Sequence, residues 1–153
     1  MKKNESRRGF IKKVLWTLFG LEIAYLSFDF LNSKTKSANR NSFFEIGNIN
    51  NFEVNNIYPF ASEGIYLSVL DDGGLLAISV KCTHLGCVVQ PDNKGFHCPC
   101  HASSFDKYGE VKSPPATRAL DIFPISINKS IIYVDTQNPI KRKGFDKSQL
   151  IYS

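Results

Sequence analysis

Hydrophobic positions divide the chain into two unlike parts. Residues 14–31, "VLWTLFGLEIAYLSFDFL", are mostly apolar on every side of a helix. Eighteen residues make about 27 Å of helix, just enough for a hydrocarbon core of about 30 Å. The run therefore predicts a transmembrane anchor. It is interrupted by Glu22 and Asp29, seven residues apart and on nearly one helical face. Ionisable groups at membrane depth are costly unless they face protein or water, so either Asp29 sits in the outer interface with Glu22 protonated, or this face meets a partner membrane subunit. Residues 32–42, "NSKTKSANRNS", are small and polar, as a flexible linker should be, and reach roughly 36 to 40 Å when stretched.

From Phe43 onward short apolar runs are cut by turn residues. "GIYLSVL" and "LLAISV" flank Asp71-Asp72-Gly73-Gly74, a strong hairpin signal. "RALDIFPISI" and "IIYVD" are rich in β-branched residues, with a turn expected over Asn128 to Ser130. No stretch after residue 32 carries a helical period. The expectation is a small antiparallel all-β domain over residues 43–136, small enough to need a staple.

Charge refines this division. The chain is +5 overall, but residues 1–31 hold six basic against three acidic residues, whereas residues 43–136 hold six against ten, a net −4. A nucleic-acid-binding face has no compositional support. Residues 137–153 are basic through Lys141, Arg142 and Lys143, which read as a solvated tail, with docking to an acidic partner as the alternative. At the other end, Arg7 and Arg8, with Ser6 before them and Phe10 and Lys12 after, resemble the twin-arginine export signal; Ile11 stands where that signal usually has Leu. No good cleavage site follows the apolar run, so residues 1–13 are expected to stay in the cytoplasm and the domain to lie outside a bacterial cytoplasmic membrane.

Candidate chemistry is confined to one window. "CTHLGCVVQPDNKGFHCPCHASSFD", residues 82–106, holds all four cysteines and all three histidines. The spacing is Cys82-x-His84-x2-Cys87, then Cys98-x-Cys100-His101. A structural zinc site would leave two cysteines unexplained, and two disulfides would leave the histidines idle. A third reading gives both boxes a use and leaves Cys87 and Cys100 over as a matched pair, one per loop, available to tie the two loops together. Each half-window can supply one thiolate and one imidazole, the asymmetric ligand set of a 2Fe-2S centre with two cysteines on one iron and two histidines on the other.

"CTHLGC" and "CPCHASSFD" resemble the two boxes of the Rieske iron-sulfur proteins. The resemblance implies a small antiparallel β-sandwich head of Rieske type behind the N-terminal helix. It implies Cys82, His84, Cys98 and His101 as ligands of a 2Fe-2S cluster, and a disulfide between Cys87 and Cys100. Imidazoles in place of two thiolates raise the potential into a range of about −150 to +300 mV, where a quinol can be oxidised. An imidazole on ferric iron is more acidic than a free one, so the midpoint is expected to fall as pH rises above neutrality.

Neighbouring positions follow by the same resemblance. Ser103 stands where a family hydroxyl donates to a bridging sulfide. Phe105 stands where respiratory members often carry Tyr, and Ala102 replaces a usual Gly, which implies an ordinary backbone conformation there. Pro114 and Pro115 resemble the proline loop that covers the cluster. Leu85 is expected to shield the cluster, with substrate contact as a second role, and His97 to be a surface or strand histidine outside both boxes. The function implied is that of a membrane-anchored, respiratory-chain electron-transfer subunit. It would accept an electron and a proton from quinol at His101, with His84 also exposed, and would work with a cytochrome b-like membrane subunit and a c-type cytochrome. The alternative is the small Rieske subunit of a periplasmic oxidoreductase such as arsenite oxidase, relaying electrons from a molybdenum subunit.

Overall fold

The computed structural model describes residues 7–36 and 43–152, with side chains of 31–36 excepted. The chain separates into two compact units, residues 1–40 and 41–153. In the first, Arg7–Lys36 form one helix, α1. It runs through Lys36, five residues beyond the expected end of the apolar segment, so residues 32–36 are helical where a flexible linker was expected. The rest of that linker and Ser6 lie outside the described residues. Among the described residues no helix is long and apolar enough to cross a membrane. The expected anchor, residues 14–31, falls within this helix, with Glu22 and Asp29 set into its apolar run. Leu15, Trp16, Leu21, Tyr25 and Phe28 are all exposed on α1.

The second unit is built of antiparallel strands in three sheets. Strand β1 spans Phe43–Asn48, β2 Asn56–Phe60, β3 Ile65–Val69 and β4 Leu75–Ser79. After them come β5 Gln90–Asp92, β6 Gly95–His97, β7 Ser104–Asp106 and β8 Val111–Ser113. The last are β9 Ile122–Phe123, β10 Ile125–Asn128 and β11 Ile131–Asp135. The sheets run in the orders β1-β11-β10, β2-β3-β4-β9 and β5-β6-β7-β8.

The hairpin signal places β3 against β4, with Val69 opposite Leu75, and the turn after Asn128 carries Lys129 and Ser130 at φ 48° and 65°. Every residue of β3 and β4 is buried, because the sheet that contains them is the middle layer. One face, through Leu67, Val69 and Leu75, packs on Ile132 and on Ile125 and Ile127 of the β1-β11-β10 sheet. The other, through Tyr66, Leu76 and Ile78, packs on Val89, Phe96, Phe105 and Leu120 on the side that carries the cysteines. A strand covered on both faces reads as a continuous apolar run, and "LLAISV" is one. Pro124 ends β9 and lets the chain cross to the outer sheet as β10.

The cysteine-bearing sheet β5-β6-β7-β8 is made of three-residue strands. Gly95, at φ 149°, lies so close to the backbone of Phe105 and Asp106 that a Cβ there would collide with both. Only glycine permits this β6–β7 approach.

The basic C-terminal segment is not a solvated tail. Ile140 bridges Ile122, Ile151 bridges Leu75, Leu150 joins the core and Arg142 is only 7% exposed. The charge pattern misled because the acceptors for Arg142 are carbonyls, which sequence composition does not reveal. Lys141 and Lys143 are exposed on either side of it.

Candidate metal centre

Both cysteine boxes are built on one hydrogen-bonded turn, used twice. In the first, between β4 and β5, Cys82 N–H donates to Cys87 O at 2.7 Å and Gly86 N–H to Cys82 O at 2.9 Å. In the second, between β6 and β7, Cys98 N–H donates to Ser103 O at 2.7 Å and Ala102 N–H to Cys98 O at 3.1 Å. The fifth residue of each turn is left-handed: Gly86 has φ 78° and Ala102 φ 59°. The ordinary backbone expected at Ala102 is therefore corrected. Closing the turn imposes the conformation, and the alanine accepts the strain.

The turns bring the predicted residues together. Cys87 and Cys100 are joined in a disulfide, with their Cα atoms 6.6 Å apart. Cys82 and Cys98 are free thiols, each 3% exposed. The imidazoles of His84 and His101 stand edge to face, ring centroids 5.0 Å apart, with His101 open to solvent. Nδ1 of His84 is buried and has no hydrogen-bond partner. A buried polar atom without a partner is rare in a folded chain and calls for a ligand.

Electrostatics at the two sulfurs differ. Burial pushes the Cys82 thiol up, and the adjoining Cys98 adds to this, while the His84 N–H and the Ser103 hydroxyl pull the other way. Cys98 is resisted by burial too, yet ends below its ordinary value because the Cys100 and His101 N–H groups and the Cys82 thiol donate toward it. Backbone N–H groups aimed at sulfur stabilise a thiolate, the form that binds metal. The Cys98 sulfur also lies within 4.8 Å of the Cys87 and Cys100 sulfurs. Those two are oxidised to the disulfide and offer no thiolate, so the three do not make a metal site of their own.

Residues 114–121 close the site from one side. Ser103 is fully buried, and its Oγ accepts from Ala116 N–H at 3.0 Å. Thr83 Oγ1 donates to Arg118 O at 2.7 Å. The proline pair thus leads into a segment tied to both boxes. The Thr83 tie had no signal in the sequence beyond a hydroxyl inside a ligand-bearing turn. Leu85 is 70% exposed at the tip of the first box. His97 sits exposed on β6 with Nδ1 3.5 Å from Asp92 Oδ2, outside the group, as expected.

Two buried thiols beside two imidazoles, one with an orphaned nitrogen, fit a cluster with mixed sulfur and nitrogen ligation. Comparison with known proteins agrees. The chain spans about half the length of the curated relatives it matches first. It is 38% identical over 84 residues to the cytochrome b6-f complex iron-sulfur subunit 2 of Trichormus variabilis, covering 52% of this chain and 47% of that protein. It is 42% identical over 74 residues to the cytochrome b6-f complex iron-sulfur subunit of a Synechococcus species, covering 45% and 41%. Among solved structures, a chain of a hyperthermophilic respiratory Complex III shares the fold with a TM-score of 0.52 at 23% identity, over 80% of this chain and 97% of that one. The family model for the Rieske 2Fe-2S domain matches residues 43–124, which contain both turns, the disulfide and the closing segment, and by that match the chain belongs to the Rieske 2Fe-2S family.

Proposed function

We propose that this chain is the electron-transfer subunit of a membrane-associated quinol-oxidising complex, with Cys82, His84, Cys98 and His101 as the cluster ligands. The observation that carries the reading is the edge-to-face pair of imidazoles, His101 exposed, beside two buried free thiols. When bound, the 2Fe-2S cluster supplies a one-electron couple in the range of about −150 to +300 mV. The protein does the rest. The Cys82 and Cys98 thiolates are held in a dry site, and backbone N–H groups point at the Cys98 sulfur. The Ser103 hydroxyl, itself accepting from Ala116, is available to donate toward sulfur and so favours the reduced, more negative state. His101 presents its outer ring nitrogen to solvent, where it can accept a proton from a quinol hydroxyl as the electron leaves. Leu85 and Val88, both exposed, give the same end of the domain an apolar contact surface.

Other features support the setting. A disulfide fits an oxidising, extracytoplasmic compartment, and the Arg7-Arg8 pair fits export. The exposed apolar surface of α1 fits association with a membrane subunit, with Glu22 and Asp29 facing that partner. That the relatives are cytochrome b6-f complex subunits supports a cytochrome b-like partner and a c-type cytochrome as acceptor. The test is isolation of the full chain from native membranes in mild detergent. A co-purifying b-type haem spectrum, and quinol-dependent reduction of the cluster that is lost in His101→Gln, are the expected results. A molybdopterin protein in place of the b-type haem would overturn the proposal in favour of a periplasmic oxidoreductase.

A further inference from the structure

Arg142 is the one charged side chain that is buried among the described residues, and nothing in the cluster chemistry uses it. Its Nε donates to Leu120 O at 2.7 Å, its Nη1 to Gln149 Oε1 at 2.7 Å, and its Nη2 to Tyr108 O. All three acceptors are uncharged. Burial pulls the guanidinium down to about 10, with Glu110, Asp106 and Asp121 opposing from a distance. A desolvated cation held by carbonyls is expensive unless its geometry is used for something. Space is reserved for it as well, since a Cβ on Gly109 would collide with Nη2.

The pattern of bonds along residues 116–120 shows what that geometry holds. Ala116 and Arg118 bond forward, to the Ser103 and Thr83 hydroxyls of the two boxes. Ala119 and Leu120 bond backward: Ala119 N–H to Lys143 O at 3.1 Å, and Leu120 O to Arg142. One short segment therefore stands between the cluster turns and the C-terminal strap, and Arg142 is the strap's anchor. It lies beyond residues 43–124, the part that matches the family model.

We propose that Arg142 is a positioning residue for the cluster: by fixing residues 116–120 from behind, it sets the two hydrogen bonds to Thr83 and Ser103 and thereby the midpoint potential and persistence of the centre. The inference rests on the family's cluster and not on which donor or partner the complex uses. Loosening the strap frees Ser103 to turn away from sulfur, which destabilises the reduced state and lowers the midpoint.

The test is a mutant cycle on the full chain: wild type, Arg142→Lys, Thr83→Val with Ser103→Ala, and all three together. Midpoints are read by redox titration followed by electron paramagnetic resonance, and cluster loss by visible absorption. Arg142→Lys, which keeps the charge but loses the fork, is expected to lower the midpoint and to speed cluster loss about tenfold. In the background lacking both hydroxyls the same change should leave the midpoint where it is, because the transmitting bonds are gone. Additive midpoint shifts, or a lowered melting temperature with an unchanged midpoint, would overturn the proposal and leave Arg142 a fold-stabilising residue. Should Arg142→Lys not accumulate, Gln149→Leu, which removes the Nη1 acceptor together with the long Gln149 Nε2 bond to Gly144 O, should show the same direction at smaller size; an unchanged midpoint there counts against the proposal. A wild-type spectrum lacking the mixed nitrogen and sulfur signature would defeat the ligand set instead, a separate outcome from any variant difference.

Discussion

Exchanging the two residues that close the paired turns tests whether backbone strain sits where the geometry puts it. Gly86 and Ala102 occupy the same place in their turns, each donating to the carbonyl of the turn's first cysteine, each left-handed. A side chain in that conformation costs about 1 to 2 kcal/mol, and replacing alanine by glycine returns about 0.4 to 1 kcal/mol of that by loosening the unfolded chain. Ala102→Gly should therefore stabilise by about 0.5 to 1 kcal/mol, a rise of about 3 to 5 °C in melting temperature for a domain of this size. Gly86→Ala should lose a similar amount. Nothing lies within 4 Å of a Cβ built on Gly86, so its loss would be backbone strain and not collision. The assay is thermal melting of the loaded full chain at fixed scan rate, followed by visible absorption, with the double exchange Gly86→Ala/Ala102→Gly as control. Opposite signs for the single variants and near-cancellation in the double are expected. A lower melting temperature for Ala102→Gly, or no change for Gly86→Ala, would refute the reasoning.

Legibility in the sequence followed how local the physics was. The β3–β4 hairpin and the turn after Asn128 were readable because turn residues act on their own backbone. The ligand window was readable because metal-binding residue types at such spacing have few other uses. What escaped depended on partners distant in sequence. Arg142 looked like one of three solvated cations, yet its acceptors lie 34 and 22 residues away at Tyr108 and Leu120. Thr83 gains its role only from Arg118, 35 residues on. Ala102 escaped for a different reason: residue type argued for ordinary backbone, and ring closure by two hydrogen bonds outweighed it. The three-residue strands β5 to β8 are too short for any alternation to show.

Further outcomes follow from the same contacts. Replacing both Cys87 and Cys100 by Ser removes a bridge between residues 13 apart and should cost about 3 kcal/mol, read by denaturant unfolding of the oxidised full chain against the same chain treated with reductant. Asp72 is held below the ordinary carboxylate value of 3.8 by the Gly74 N–H and then by the Tyr152 hydroxyl, so its contribution to stability is present above that value and is lost as pH falls through the lower folded one. Asp72→Asn should flatten the acid limb of the melting profile there; an unchanged limb would show that the contacts do not favour the ionised form. Phe105→Tyr probes the sulfur environment. Phe105 is buried in the same cluster of side chains as Cys82 and Cys98, with no hydroxyl to offer either sulfur. A phenol donating to a thiolate ligand is favoured more when the centre carries its extra negative charge. If about 1 kcal/mol of hydrogen bonding appears on reduction, a one-electron couple shifts by about 40 mV, since a tenfold change in equilibrium is about 59 mV. The midpoint should therefore rise by roughly that amount, with the electron paramagnetic resonance signature retained. A midpoint that stays fixed while the cluster remains loaded would mean that the added hydroxyl points away from sulfur, and that the low-polarity packing around Phe105, not a missing donor, sets the potential.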